Sequence, residues 1–187
     1  VRWYDVEPCY VFHPLNAYED GDSIVLDLVR HPKCFATEFR GPAEGPPTLD
    51  RWTIDRSAGK VLEERLDDRG QEFPRIDERL TGRRHRYGYS VGLGSEADEG
   101  RVIKHDVAAA TTTDHDFGPG SQASEFVMVP RPGGSAEDDG VLMGYVYRRA
   151  EDRSDLVMLD ASTLELVAVV HLPGRVPQGF HGNWLGS

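Results

Sequence analysis

The chain has 187 residues, 39% apolar and 28% charged, the make-up of an ordinary globular domain with room for a sizeable core. Its 32 Asp and Glu outnumber its 21 Lys and Arg, a net charge of −11 that excludes a nucleic-acid partner gripped by its phosphates and docking on an anionic membrane by charge alone. No apolar run approaches the ~20 residues of a transmembrane segment. The start carries no basic stretch followed by an apolar block, so no secretory leader is expected. Cys9 and Cys34 are too few and too isolated for a disulfide framework and fit free thiols in a reducing, cytoplasmic compartment.

In chain order, the sequence opens in strand-like residues, VRWYDVEPCYVFH, with no initiator Met and no polar lead-in, as expected of a piece of a longer protein. Short β-rich runs then alternate with Gly, Pro and Asp clusters, and helical periodicity is weak, which predicts an all-β fold. Strands are predicted over residues 10–13, 23–29, 49–55, 61–66, 86–91, 102–107, 125–129, 141–147, 155–159 and 166–172. The run 23–29 is apolar at nearly every position, as in a strand buried on both faces. Residues 39–47 (FRGPAEGPP) and 130–140 (PRPGGSAEDDG) read as loops.

Three segments, RWTIDRSAGKVLEERL, RVIKHDVAA and LVMLDASTLELVAVVHL, each run from an apolar strand into an Asp: Asp55, Asp106 and Asp160. A period of about 50 residues holding about four short strands fits propeller blades, each closing in a hairpin whose Asp supplies the turn hydrogen bonds. At that length the chain holds about three to four blades, fewer than a closed propeller needs.

Seven His are scattered without close ligand spacing, and a lone His is ordinarily a surface or hydrogen-bonded core residue. Two stand out. His13 follows the apolar run CYVF and precedes the polar PLNAYEDGD, a strand end followed by a turn. His181 lies in RVPQGFHGNW between Gly179 and Gly182, which would let backbone approach a centre closely, with Phe180 and Trp184 placed to shield it. Imidazole suits iron, copper and zinc, and a centre built from the strand ends of different blades draws its ligands from distant positions. Glu72 (GQEFPRID) and Glu125 (ASEFVMVP) each stand before Phe at the start of an apolar strand, where a carboxylate is costly unless hydrogen-bonded. They read either as exposed strand-start residues or as acceptors for the free N–H of a ligating His. YSVGLGSEADEG lacks the Lys-Ser/Thr of a phosphate loop, no GxSxG is present, and EDDG at 137–140 reads as a hairpin turn rather than a calcium loop.

At these residues the chain resembles the carotenoid cleavage oxygenase family, which includes the retinal-pigment-epithelium isomerase and bacterial lignostilbene dioxygenases. FHPLNAYEDGD resembles the family's third-histidine motif, EFPRID its Glu-Phe-Pro-x-Ile-Asn segment, SEFVMVPRPGGSAEDDGVLMGYVY its Glu-led strand and acidic hairpin, and LDASTLELVAVVHLPGRVPQGFHGNW its closing segment with the fourth histidine. Asp77 stands where the family commonly has Asn, and Phe126 where Pro is frequent after the glutamate.

The resemblance implies that residues 1–187 are a single partial domain, the C-terminal blades of a seven-bladed β-propeller with Fe(2+) on its axis. His13 and His181 would be the third and fourth of four His ligands, and Glu72 and Glu125 would accept hydrogen bonds from them. No further catalytic residue is implied. The implied reaction is oxidative cleavage of a conjugated C=C bond of a carotenoid, apocarotenoid or stilbene by O2, giving two carbonyl products. The partners are then a hydrophobic conjugated small molecule and O2, with peripheral membrane contact left to regions outside this chain. As an isolated chain it is expected to have little or no activity and to self-associate through open sheet edges. The alternatives are a metal-free propeller that binds protein and a non-cleaving polyene isomerase.

Overall fold

The computed structural model describes residues 1–39, 44–95 and 98–186. Part of the predicted loop 39–47, at 40–43, and part of the glycine-bearing stretch 89–100, at 96–97, lie outside the described residues.

Twelve strands in the described residues form three four-stranded antiparallel sheets, each an up-and-down meander in sequence order. The first holds β1 (Pro14–Asp20), β2 (Ser23–Arg30), β3 (Thr48–Asp55) and β4 (Lys60–Asp67). The second holds β5 (Gln71–Arg75), β6 (Tyr87–Gly92), β7 (Arg101–Asp106) and β8 (Thr111–Asp116). The third holds β9 (Ser121–Pro130), β10 (Gly140–Arg148), β11 (Arg153–Asp160) and β12 (Leu166–His171). These are three propeller blades, at the lower end of the predicted number.

The Asp repeat is one residue per blade, at the turn from the third strand to the fourth. Asp55 Oδ1 accepts from the Ser57 and Ala58 N–H groups (both 2.8 Å). Asp106 accepts from Ala108 and Ala109 (3.2 and 3.0 Å), and Asp160 from Ser162 and Thr163 (2.9 and 3.0 Å). The carboxylate closes the turn by satisfying backbone donors that no strand reaches.

Three strands escape the sequence pattern, each for a physical reason. Residues 10–13 form no strand, only an isolated bridge between Tyr10 and His31 and a bond from the Val29 N–H to the His13 carbonyl, and the sheet starts at Pro14, so His13 heads a strand rather than ending one. The polar-looking PLNAYED is that strand, because its buried Asn16 donates to the carbonyls of Leu80 (3.3 Å) and Arg83 (2.9 Å) and accepts from the Gly82 N–H (3.1 Å). β5 is short, carries Pro74 and buries Gln71 and Glu72 instead of apolar side chains. β8, TTTDHD, is an exposed outer strand with no apolar face to advertise it. β9 also begins earlier than predicted, so Glu125 sits within a strand rather than at its start.

The core lies between neighbouring blades. Blades two and three share a large apolar cluster including Tyr89, Val102, Phe126, Leu142, Val157 and Leu159. Among the described residues blades one and two share a smaller cluster, Leu15, Leu49 and Ile76 with Leu66 and Leu80 packed against it, backed by a buried polar network. In it Asp27 accepts both Arg51 bonds (2.7 Å each) and faces His85 Nε2 at 3.2 Å. Burial would raise the Asp27 carboxyl, but Arg51 and His85 outweigh it and hold it below the usual range. The first two residues of the EDDG stretch are spent on blade two, while Asp139 pairs with Arg131 in its own hairpin (2.7 Å). Glu137 accepts the Arg86 and Tyr87 N–H groups (2.8 and 2.7 Å), and Asp138 pairs with buried Lys104 (2.7 Å).

The first strand of every blade carries one residue more than its neighbour opposes. The register slips between Pro14 and Asn16 in β1, between Glu72 and Arg75 in β5, and opposite Tyr145 in β9. An extra residue bends a strand and re-aims its side chains. In β5 the slip includes Phe73 at φ 53°, a left-handed conformation uncommon for a residue with a side chain. In β9 the slip packs Phe126 against Gly144, where a Cβ would meet the ring at 2.5 Å.

Candidate metal centre

His13 is held at the entrance of β1, where its carbonyl accepts the Val29 N–H (3.0 Å). His181 lies on the segment that follows β12 and runs without regular secondary structure to the end of the described chain. The fold nonetheless brings the two rings together. His13 Nε2 lies 3.2 Å from His181 Nε2 across 168 positions of sequence, with ring centroids 4.8 Å apart.

The opposite nitrogen of each ring meets a buried glutamate on a slipped strand. His13 Nδ1 lies 2.7 Å from Glu72 Oε2, and His181 Nδ1 lies 3.2 Å from Glu125 Oε1. An ionised carboxylate only accepts, so each Nδ1 carries the proton. In the neutral rings both Nε2 atoms are then bare lone pairs that face one another. Two lone pairs at this distance repel unless a cation lies between them, and ligands about 2 Å from one metal lie roughly 3–4 Å apart. The donor set therefore fits a metal ion. Among the described residues no group of three or more His, Cys, Asp or Glu gathers as a candidate metal site.

The two glutamates are braced differently. Glu72 also accepts from the His31 ring (Nε2 to Oε1, 2.8 Å) and from the Phe73 N–H (2.5 Å). Burial would raise the Glu72 carboxyl, but His31, Phe73 N–H and His13 outweigh it and hold it below its usual value. Glu125 accepts from the Gly182 N–H (2.9 Å) and from Arg75 (3.3 Å), whose guanidinium also reaches Asn183 (3.3 Å) and Glu78 (2.5 Å). His31 and Arg75 have no distinguishing sequence signal. His31 reads as one more core His, and only the bridge from Tyr10 and the fold behind it point its ring at Glu72.

The surroundings of His181 depart from the sequence reading. A Cβ at Gly179 or Gly182 would meet nothing within 4 Å, so neither glycine is needed for a close approach inside this chain. Phe180 and Trp184 point outward, 76% and 53% exposed. Phe73 is the aromatic group at the rings, 5.4 Å from His13 and 6.0 Å from His181 between centroids. Beyond His13, Phe12, Tyr10 and Phe35 form an aromatic cluster. Asp77 caps a short 3-10 turn and pairs with Arg79 (2.6 Å), and Phe126 is core, so neither touches a ligand. No helix of the described residues is long and apolar enough to cross a membrane.

A family model described as retinal pigment epithelial membrane protein matches residues 1–186. The carotenoid cleavage oxygenase of Mycobacterium tuberculosis is 48% identical over 98% of this chain and 39% of its own length. The apocarotenoid-15,15'-oxygenase of Synechocystis is 33% identical over 98% of this chain and 40% of its own. The crystal structure of cobalt-substituted Synechocystis apocarotenoid oxygenase superposes with a TM-score of 0.91 at 32% identity, covering 98% of this chain and 41% of that one. The chain thus spans about two-fifths of the length of these relatives. Matched from end to end in sequence and blade by blade in structure, it belongs to the retinal pigment epithelial membrane protein family, that of the carotenoid oxygenases.

Proposed function

We propose that this chain supplies the C-terminal blades and two of four metal ligands of a non-haem iron dioxygenase built on a seven-bladed propeller. Residues 1–187 form a single partial domain of it. The observation that carries the reading is the convergence of His13 Nε2 and His181 Nε2 to 3.2 Å, each ring backed by its own buried carboxylate.

His13 and His181 would hold Fe(2+) through Nε2, with the other two His and a third glutamate in sequence outside this chain. Ferrous iron supplies the O2 chemistry that cleaves a conjugated C=C bond into two carbonyls. Glu72 and Glu125 keep each Nδ1 protonated, which fixes ring orientation and raises the basicity of Nε2. Neutral imidazoles leave the site's charge to the metal. Phe73 excludes water beside the rings, and the Tyr10, Phe12 and Phe35 cluster offers an apolar wall to a conjugated substrate such as a carotenoid, apocarotenoid or stilbene. The setting is cytoplasmic, and membrane contact, where it occurs, is peripheral and made by other regions.

The test is iron content and β-apocarotenal cleavage in the full-length protein bearing this chain. One iron per chain and two shorter aldehydes are expected, with both lost in His13→Ala and His181→Ala. Unchanged function in those variants would favour a metal-free binding module, and a single isomer as product would favour isomerase chemistry. The 187-residue chain alone is expected to show no turnover, and stoichiometric iron with turnover there would overturn the division of ligands.

A further inference from the structure

His31 is buried, 2% exposed, beside the two rings. It follows β2 directly, in the first blade. Its backbone forms both hydrogen bonds of the bridge to Tyr10 (2.8 and 2.9 Å), which steers the segment that leads into His13. Its ring stands edge-on to Phe12 at 5.0 Å and aims Nε2 at Glu72 Oε1, 2.8 Å away. Because a carboxylate only accepts, that nitrogen carries the proton.

The consequence lies in how the Glu72 oxygens are shared. Glu72 belongs to the second blade and is gripped by two histidines of the first, Oε1 by His31 and Oε2 by His13 (2.7 Å). Without His31, Oε1 is a buried acceptor with no donor, and the carboxylate gains freedom to rotate away from His13 Nδ1. Glu125 has no such imidazole and takes Arg75 instead.

We propose that His31 is a positioning residue of the metal centre, whose Nε2–H locks Glu72 so that Oε2 is held for His13 and His13 Nε2 faces His181. This rests on the metal-binding reading above. It acts through Glu72 and touches neither the metal nor a substrate.

Cobalt(II) is the probe, titrated into the metal-free full-length protein and followed by its visible absorption. His31→Phe keeps an aromatic ring but no donor, and is expected to weaken cobalt binding about 10–100-fold and alter the bands, in a metal-free protein that still folds but melts lower because Glu72 Oε1 has lost its donor. His31→Gln restores an N–H donor and is expected to lose less than about tenfold. Wild-type affinity and bands in His31→Phe would overturn the role, as would a loss in His31→Gln equal to that in a folded His31→Phe. Should His31→Phe fail to fold, the wild-type protein decides. In its zinc form, the ¹⁵N shifts of His31 must report a protonated Nε2, and a protonated Nδ1 with bare Nε2 would overturn the proposal. A wild type that binds cobalt while His31→Phe binds equally well sinks this inference alone. A wild type that takes up no cobalt sinks the metal centre and His31's role with it.

Discussion

The two halves of the candidate centre are built to different standards of rigidity. His13 enters a sheet, its carbonyl is bonded to β2, and its carboxylate partner is held by three donors. His181 rides on a segment outside any sheet, its side chain is 53% exposed, and its bond to Glu125 is longer, 3.2 Å against 2.7 Å. One imidazole is preorganised by folding. The other is delivered by a strap pinned at a few points: the Val176 N–H on Ser154 Oγ (3.0 Å), the Gly182 N–H on Glu125 (2.9 Å) and the Arg75 guanidinium on Asn183 Oδ1 (3.3 Å). If a cation joins the halves, as proposed, the strap side is expected to gain most of the order.

The largest effect that would break this contrast is at the glutamates. Glu72→Ala strands the His13 and His31 donors and the Phe73 N–H in a buried place, and is expected to cost about 3 kcal/mol in urea unfolding and roughly 100-fold in cobalt affinity. Glu125→Ala leaves Arg75 and the exposed His181 free to meet water, so about 1 kcal/mol is expected with a similar loss of affinity. Equal stability losses would remove the distinction between the two arms.

Acid gives the next largest effect, in two windows of opposite origin. Burial lowers the His105 pKa to about 4, only partly countered by Asp67. Between the ordinary His value of about 6.5 and that folded value, protons favour the unfolded chain. Stability should therefore fall by up to about 3 kcal/mol as pH drops across that range, and His105→Gln should flatten the fall in urea titrations. The Glu72 carboxyl is also shifted down, but because the cost of burial is outweighed by His31, the Phe73 N–H and His13, which favour its ionised form. Its ionised form favours the folded state, so its contribution is complete above about pH 4.3 and is lost only as pH falls through the lower folded value. Glu72→Gln removes that last step and leaves the His105 window unchanged.

Hydrogen exchange sharpens the contrast on a smaller scale. Amides of Gly182 and Trp184 are expected to slow at least tenfold on cobalt binding in the full-length protein, whereas that of Val29, inside the sheet, is already protected and changes little. Equal protection of both arms in the metal-free protein would show that the strap is as ordered as the blade. The smallest effect is expected at the glycines. Gly182→Ala meets open space and should stay within about 0.5 kcal/mol of wild type, while Gly144→Ala drives a methyl into Phe126 behind Glu125 and should cost about 1–3 kcal/mol.

The amino-acid order by itself determined the all-β class, the position of most strands and the Asp-closed hairpin of each blade, and it singled out four residues that the fold brings into contact. These are local properties: an apolar run of strand length, an Asp ahead of its own turn, or a His and a Glu inside a quotable motif. The tertiary structure alone decided that PLNAYED, QEFPR and TTTDHD are strands, since their hydrogen bonds come from partners the pattern does not contain. It also decided that the first strand of each blade slips by one residue, that Phe73 and not Phe180 or Trp184 stands at the rings, and that His31 donates to the second oxygen of Glu72. Those contacts join residues 41 and 59 positions apart through single side-chain atoms. No residue type announces its partner over such a distance, because the direction of a buried hydrogen bond is set by how two blades pack and not by the chain that carries the donor.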